Sequence, residues 1–287
     1  AGVRPGACIG YVVDLSHVAG GVGGLDAARR GGALVSNVAV WLWRPPNWRD
    51  IPSASARFEL PEGMRVSVPW PRDGERYVLD KTAFAFLAHA AFGRFEVEQV
   101  HAPGAVIEVA ILDGLTPATR EAVVPWVSTA ARMASLLGGT FPRDHAQVVV
   151  VPTTPSDEPV RFAMMTRGGG ASMGVLLPST AEKKALQQDW VAVHEFTHLF
   201  APFVARPDAW LSEGLATYYQ EILRVRGGVL SEAEAWRRIY AGSQKGRNAS
   251  RSLAQESADM YQTHAFSMVY WAGASFSLMA DVELRRL

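Results

Sequence analysis

One cysteine, Cys8, occurs in 287 residues, so no disulfide can form within the chain. Its plainest role is that of a small incidental or buried side chain, and nothing around it asks for a reactive thiol. Charge of one sign is also lacking: 28 lysines and arginines balance 28 acids, and no long single-sign run occurs. That balance removes the electrostatic case for nucleic acid or an anionic membrane surface as a partner. The longest apolar runs, AFAFLAHAAF at 83–92 and WAGASFSLMA at 271–280, are too short to span a bilayer, so no transmembrane segment is expected. No signal peptide, internal repeat or low-complexity tract is visible. The glycine-rich AGGVGGLDAARRGG at 19–32 matches neither G-x-G-x-x-G nor a P-loop, and reads as a mobile loop rather than a phosphate cradle. The chain opens without Met on AGVRPG and stops at ELRRL, inside an expected helix. That is how a processed or trimmed protein ends, and a periplasmic or secreted setting is expected over the cytoplasm.

What is present is an ordinary globular composition, 48% hydrophobic and 20% charged, enough for a substantial core in one large domain or two smaller ones. The texture changes near residue 110. Before it, ALVSNVAVWLW (33–43), ARFELP (56–61), MRVSVPW (64–70) and AVIEVAIL (105–112) read as strands parted by turn residues such as RPPN and PRDG. A small β-sandwich-like unit over 1–110 fits them. After it the period becomes helical. A helix is expected over 116–139, with Pro117 in its first turn, Pro125 inside it and Gly138-Gly139 ending it. AQVVVVP (146–152) reads as a buried strand, and 160–178 as two short strands around a glycine turn. Further helices are expected from Ser179 to Phe200, from Asp208 to Arg226, from Ser231, and from Thr263 to the end. Capping boxes mark Ser179…Glu182 and Ser231…Glu234. The fold class is α+β.

The residues with chemistry lie in HEFTHLF (194–200) and WLSEGLATYY (210–219). On a helix, positions i and i+4 share a face, so His194 and His198 can aim two ring nitrogens at one ion. Zinc takes imidazole and carboxylate ligands, and a catalytic zinc keeps one position for water, beside which Glu195 would stand as a base. Two histidines leave the protein one ligand short. The H-E-x-x-H-x-x-G-x-x-H pattern is not met, because Ala201 and Val204 stand at its Gly and His positions. Glu213 is the candidate: Pro202 and Pro207 end the first helix and let a second return against it. Trp210, Leu211, Leu215, Tyr218 and Ile222 would form that helix's packing stripe, with Asp208 as its N-cap.

These segments resemble the gluzincin metallopeptidases, whose third zinc ligand is a glutamate on the following helix. WLSEGLATYY is similar to the W-x-x-E-G-x-A-x-Y segment of the aminopeptidase N and glycyl aminopeptidase families, with the second the closer match. ARFELPEGMRVSVPWPRDGERYVLD (56–80) is similar to the closing part of that family's β-domain, and VYWAGASFSLMADVELR (269–285) to its helix bearing Tyr-x-Lys-Gly. The resemblance implies a β-sandwich-like domain followed by a thermolysin-like catalytic domain, here 111–287, without the family's C-terminal extension. It implies one Zn2+ held by His194, His198 and Glu213, with Glu195 as general base and acid and Tyr270 at the position of the tyrosine that stabilises the transition state. It implies a peptide or protein substrate, lying along a glycine-bearing edge strand at Gly168, Gly169 and Gly170. The chain departs from the pattern in three ways. The interval from His198 to Glu213 is shorter than in aminopeptidase N. Ala272 stands in place of the lysine of Tyr-x-Lys-Gly. No Glu or Asp occurs from 167 to 174, where aminopeptidases carry an acid for the substrate's free amine, so aminopeptidase and endopeptidase action both stay open.

Two other readings compete. GASMG (170–174) matches G-x-S-x-G, which would make Ser172 a nucleophile with Asp208 or Asp259 and His264, provided a strand–turn–helix elbow surrounds it. The other is a non-catalytic peptide-binding module on a metallopeptidase-like fold, in which the site is structural or empty and Glu195 has no role as a base.

Overall fold

The computed structural model describes residues 8–21, 24–51, 53–85, 88–247 and 251–287. The opening AGVRPG and part of the 83–92 run lie outside them, as do residues 22 and 23 of the glycine-rich stretch. The described remainder of that stretch closes α1 (Leu15–Gly21) and forms β1 (Ala27–Arg30), which turns at Gly31 (φ +54°) toward β2 (Ala33–Asn37). Cys8 is an exposed free thiol, not a core residue.

In the N-terminal region β3 (Ser53–Ala56), β4 (Arg65–Ser67), β5 (Arg72–Asp73), β6 (Arg76–Asp80) and β7 (His89–Gly93) complete two antiparallel sheets, β1-β2-β7-β4 and β3-β6-β5. Val68, Trp70, Leu79 and Ala90 form their common core, in which the Trp41 ring packs edge-on against Phe58 and Phe92. The strands are shorter than their apolar runs. The strand expected over 33–43 stops at Asn37, whose side chain accepts from Ala39 N and starts a 3-10 turn. The strand expected over 64–70 stops at Ser67, since Pro69 has no N–H for a ladder. The strand expected over 56–61 is only the end of β3.

A third sheet, ordered β11-β12-β10-β9-β8, is built from β8 (Glu96–Ala102), β9 (Ala105–Ile111), β10 (His145–Thr153), β11 (Phe162–Thr166) and β12 (Ser172–Pro178). β10 runs parallel to β9 and β12, while β8 and β11 are antiparallel edges. β8 and β9 therefore belong with β10, and the change of texture near residue 110 is not a sheet boundary. Strands alternate their side chains between faces, and β10 is apolar on both. Val148 and Val150 pack with the helices, while Val149 and Val151 pack with Val35 and Ala91 of the N-terminal sheet. Between the two sheets runs a buried polar chain. Ser67 donates to Glu108 (2.5 Å), Gln147 to Ser67 (2.8 Å) and Ser172 to Gln147 (2.7 Å), and His89 Nδ1 lies 3.2 Å from Ser172 Oγ.

The helices are α2 (Pro117–Ser135), α3 (Lys183–Gln187), α4 (Val191–Thr197), α5 (Ala209–Arg226), α6 (Glu232–Ser243), α7 (Leu253–Thr263) and α8 (Phe266–Leu284). Two expected helices are corrected. The one placed over 179–200 is split, because the Asp189 carboxylate accepts from Val191 N (2.8 Å) and restarts the chain as α4. Its Ser179…Glu182 box does not form: Glu182 occupies the N-cap without a side-chain bond. The one begun at Thr263 starts at Phe266 as α8, and α7 is a separate helix before it. α7 opens with an unforeseen Ser252…Gln255 capping box and closes at His264 in the left-handed region (φ +56°). Ser231 caps α6, but Glu234 turns to Arg237 and Arg238 instead of closing the box. Asp208 precedes α5 without a capping bond. Gly214 of α5 meets Gly273 of α8 so closely that a Cβ on Gly214 would come within 2.3 Å of the Gly273 carbonyl carbon. Among the described residues no helix is long and apolar enough to cross a membrane.

His89 is fully buried, and burial pushes its imidazole down to about 4. The unfolded chain takes up this proton near pH 6.5 and the folded chain does not, so stability is lost as pH falls from 6.5 to 4. The loss approaches about 3 kcal/mol. Urea unfolding across that range should show a shallower decline in His89→Gln than in the parent; parallel declines would contradict it.

Candidate metal centre

α4 and the 3-10 turn His198–Phe200 stack His194 and His198 one turn apart, with ring centroids 4.9 Å apart. After the chain reverses through Pro202 and Pro207, α5 brings Glu213 back against them. Glu213 Oε2 lies 3.2 Å from His194 Nε2 and 3.5 Å from His198 Nε2, and one ligand atom from each residue falls within 4.8 Å of the others. Both histidines are buried.

The other ring nitrogens are held by α5. His198 Nδ1 lies 3.2 Å from Ser212 Oγ, and His194 Nδ1 lies 2.8 Å from Gln220 Oε1. Gln220 donates its amide nitrogen to Glu221 (2.9 Å), so its oxygen must accept, and His194 Nδ1 carries the proton. Nε2 faces Glu213, as a lone-pair donor toward a metal or, when the ring carries both protons, as a hydrogen-bond donor to the carboxylate. Behind Gln220 the chain continues to Arg224, whose Nη1 donates to Glu221 (3.3 Å) and whose Nη2 donates to the Gln188 carbonyl (2.7 Å). Two imidazoles, each held through its Nδ1, and one carboxylate, all in reach of one point, fit zinc and leave a coordination position for water.

The electrostatics agree with that donor set. Burial acts to raise the Glu213 carboxyl, but hydrogen bonds from His194 and His198 and their charge outweigh it and hold it well below the usual range. Glu195 goes the other way. Burial pushes it up, against His198, His194 and the Met165 N–H, which donates to Glu195 Oε2 at 2.7 Å. Tyr270 stacks on His194 with centroids 5.9 Å apart and planes 12° from parallel. Burial first, then the charges of Glu213 and Glu195, push its phenol up.

Gly168, Gly169 and Gly170 form the turn between β11 and β12, bridged from Gly168 to Gly170. The Gly169 carbonyl is taken by Trp70 Nε1 (2.9 Å), and Gly170 (φ +106°) abuts Pro69, where a Cβ would not fit. The nucleophile reading of Ser172 is corrected here. Ser172 lies inside β12, fully buried, with its hydroxyl spent on Gln147 and His89, and no strand–turn–helix elbow surrounds it. Asp259 is paired with Arg251, and His264 ends α7.

Sequence reasoning missed Ser212, Gln220, Glu221, Arg224 and Arg167. The expected stripe of α5 is only partly its buried face. Leu211 is exposed, while Gly214, Thr217, Gln220, Glu221 and Arg224 point inward. The available signal was the run of polar residues at helical spacing from Glu213 to Arg224.

No family model and no curated protein matches the chain. Among solved structures, it is similar to an aminopeptidase N family protein from Idiomarina loihiensis: TM-score 0.70, 14% identity, over 91% of this chain and 51% of that one. It is similar to the M1 zinc metallopeptidase of Deinococcus radiodurans: TM-score 0.50, 15% identity, over 85% and 57%. It is also similar to yeast LTA4 hydrolase: TM-score 0.52, 14% identity, over 88% and 42%. The chain spans about half the length of these proteins. At these identities the likeness is one of fold: α+β, of the M1 zinc metallopeptidase type. None of the three singles out the glycyl aminopeptidases.

Gln220→Ala removes the acceptor that fixes the His194 tautomer, and should weaken zinc binding about 10- to 100-fold in competition with a chromophoric chelator. Parental zinc affinity in Gln220→Ala would contradict that role.

Proposed function

We propose that the protein is a zinc-dependent peptidase, in which His194, His198 and Glu213 hold the metal and Glu195 is the general base and acid. The observation that carries this reading is the convergence of three ligand atoms beside a buried carboxylate that is not itself a ligand. When bound, zinc lowers the pKa of an attacking water and polarises the scissile carbonyl. Glu195, its carboxyl raised by burial and steadied by the Met165 N–H, accepts the water's proton and returns it to the leaving amine. A structural zinc needs no such neighbour, which favours catalysis over a binding module.

Tyr270, protonated throughout the ordinary pH range, donates its hydroxyl to the oxyanion that develops on the carbonyl. The free edge of β11 supports an extended peptide, since main-chain groups on the Met165 side of the strand point away from β12. Of the turn glycines, Gly168 remains for such a contact, the Gly169 carbonyl being spent on Trp70.

Glu195→Gln should retain one zinc per chain while lowering kcat on peptides by about 10²–10⁴-fold. Tyr270→Phe should lower kcat by about 10²-fold with KM little changed. Steady-state kinetics on a mixed peptide library, with zinc content measured on the same samples, tests both. Near-parental turnover by Glu195→Gln would overturn the reading.

A further inference from the structure

Arg167 follows edge strand β11 and is bound to the turn that ends the histidine helix. Its Nη1 donates to the carbonyls of His198 (2.5 Å) and Ala201 (2.8 Å), and its guanidinium carbon lies 5.9 Å from the Phe203 ring centroid. Nε and Nη2 have no hydrogen-bond partner among the described residues. These two nitrogens form the side edge of the guanidinium, which takes a carboxylate by two parallel bonds.

The surroundings leave that edge without a counter-charge. Burial and Arg143 disfavour the cation, while the charges of Glu213 and Glu195 reach it and favour it. Those two carboxylates are already engaged, Glu213 by both histidines and Glu195 by Met165 N–H. No Asp or Glu occurs from 162 to 174, so β11 and its turn offer nothing to hold an ammonium. A half-buried cation with two unspent donors is favourable only when an anion or water completes it.

We propose that Arg167 binds a carboxylate of the peptide substrate close to the scissile bond, so that the site selects peptides carrying an anionic group there rather than a free amino terminus. The carboxylate can be a chain's C-terminus or an Asp or Glu side chain. This rests on the peptidase reading above for its substrate class. The Nη1 bonds hold the guanidinium still, so little side-chain entropy remains to be lost on binding.

The test uses matched peptides: a free C-terminus against its amide, an internal Asp or Glu against Asn or Gln, and a free amino end against its acetylated form. Removing the carboxylate from whichever position the site reads should lower kcat/KM by at least about tenfold, mostly through KM, while acetylation should leave it unchanged. In Arg167→Lys and Arg167→Gln the ratio within the responsive pair should fall toward one. An arginine that only ties down the turn would lower both members of each pair alike and leave the ratio intact, which overturns the proposal. So do equal rates on every matched pair with the parent protein. Binding of the same peptides to Glu195→Gln separates the two readings. No cleavage by the parent with a retained carboxylate preference in binding would end the peptidase reading alone. Cleavage without that preference would end the Arg167 proposal alone.

Discussion

Charged and ring-nitrogen groups taken out of water between α4 and α5 cost free energy unless they are paired, and the organisation of this half of the molecule follows from how they are. His194, His198, Glu195, Gln220, Glu221 and Arg224 are each less than 10% exposed. An unpaired charge there would cost several kcal/mol. Pairing is therefore continuous: Arg224 and Gln220 both donate to Glu221, Gln220 Oε1 accepts from His194, and His194 faces Glu213. Each bond orients the next, and the chain ends with two imidazole nitrogens and a carboxylate oxygen aimed at one point. Zinc is the partner that this end of the chain fits.

Packing brings the remaining groups within reach. Gly214 and Gly273 let α5 and α8 approach to backbone contact, and Tyr270 lies one turn before Gly273, on the face toward His194. From the other side, the N-terminal region reaches the site's rim. Trp70 holds the Gly169 carbonyl and Pro69 fills the space beside Gly170, which anchors the turn just after Arg167. β10 makes this possible by presenting valines to both layers, with the Ser67–Gln147–Ser172 bonds as the polar seam between them.

The candidate metal ligands were legible because their geometry is local. A helix fixes His194 against His198, and prolines at 202 and 207 announce the reversal that returns Glu213. β10 was legible because an unbroken valine run suits only a strand buried on both faces. The break at Asp189 was not, since an aspartate inside a helical pattern looks like an exposed residue until its carboxylate is found on the next N–H. Gln220, Glu221 and Arg224 were not legible, because periodicity counts apolar residues and the groups that Gln220 and Arg224 reach, His194 and the Gln188 carbonyl, are distant in sequence. The GASMG match misled for the same reason. The motif records residue types, whereas the chemistry it names requires an exposed elbow, and Ser172 is buried in a strand. β8 and β9 joined the five-stranded sheet through pairing of β9 with β10, a long-range choice that composition does not record.

Anomalous diffraction at the zinc edge on the metal-loaded protein tests the central claim most directly. The account expects one peak bonded to His194 Nε2, His198 Nε2 and a Glu213 oxygen, at about 2.0–2.2 Å, with Glu195 outside the coordination sphere. No peak between α4 and α5, or one bonded to Glu195 in place of Glu213, would contradict it.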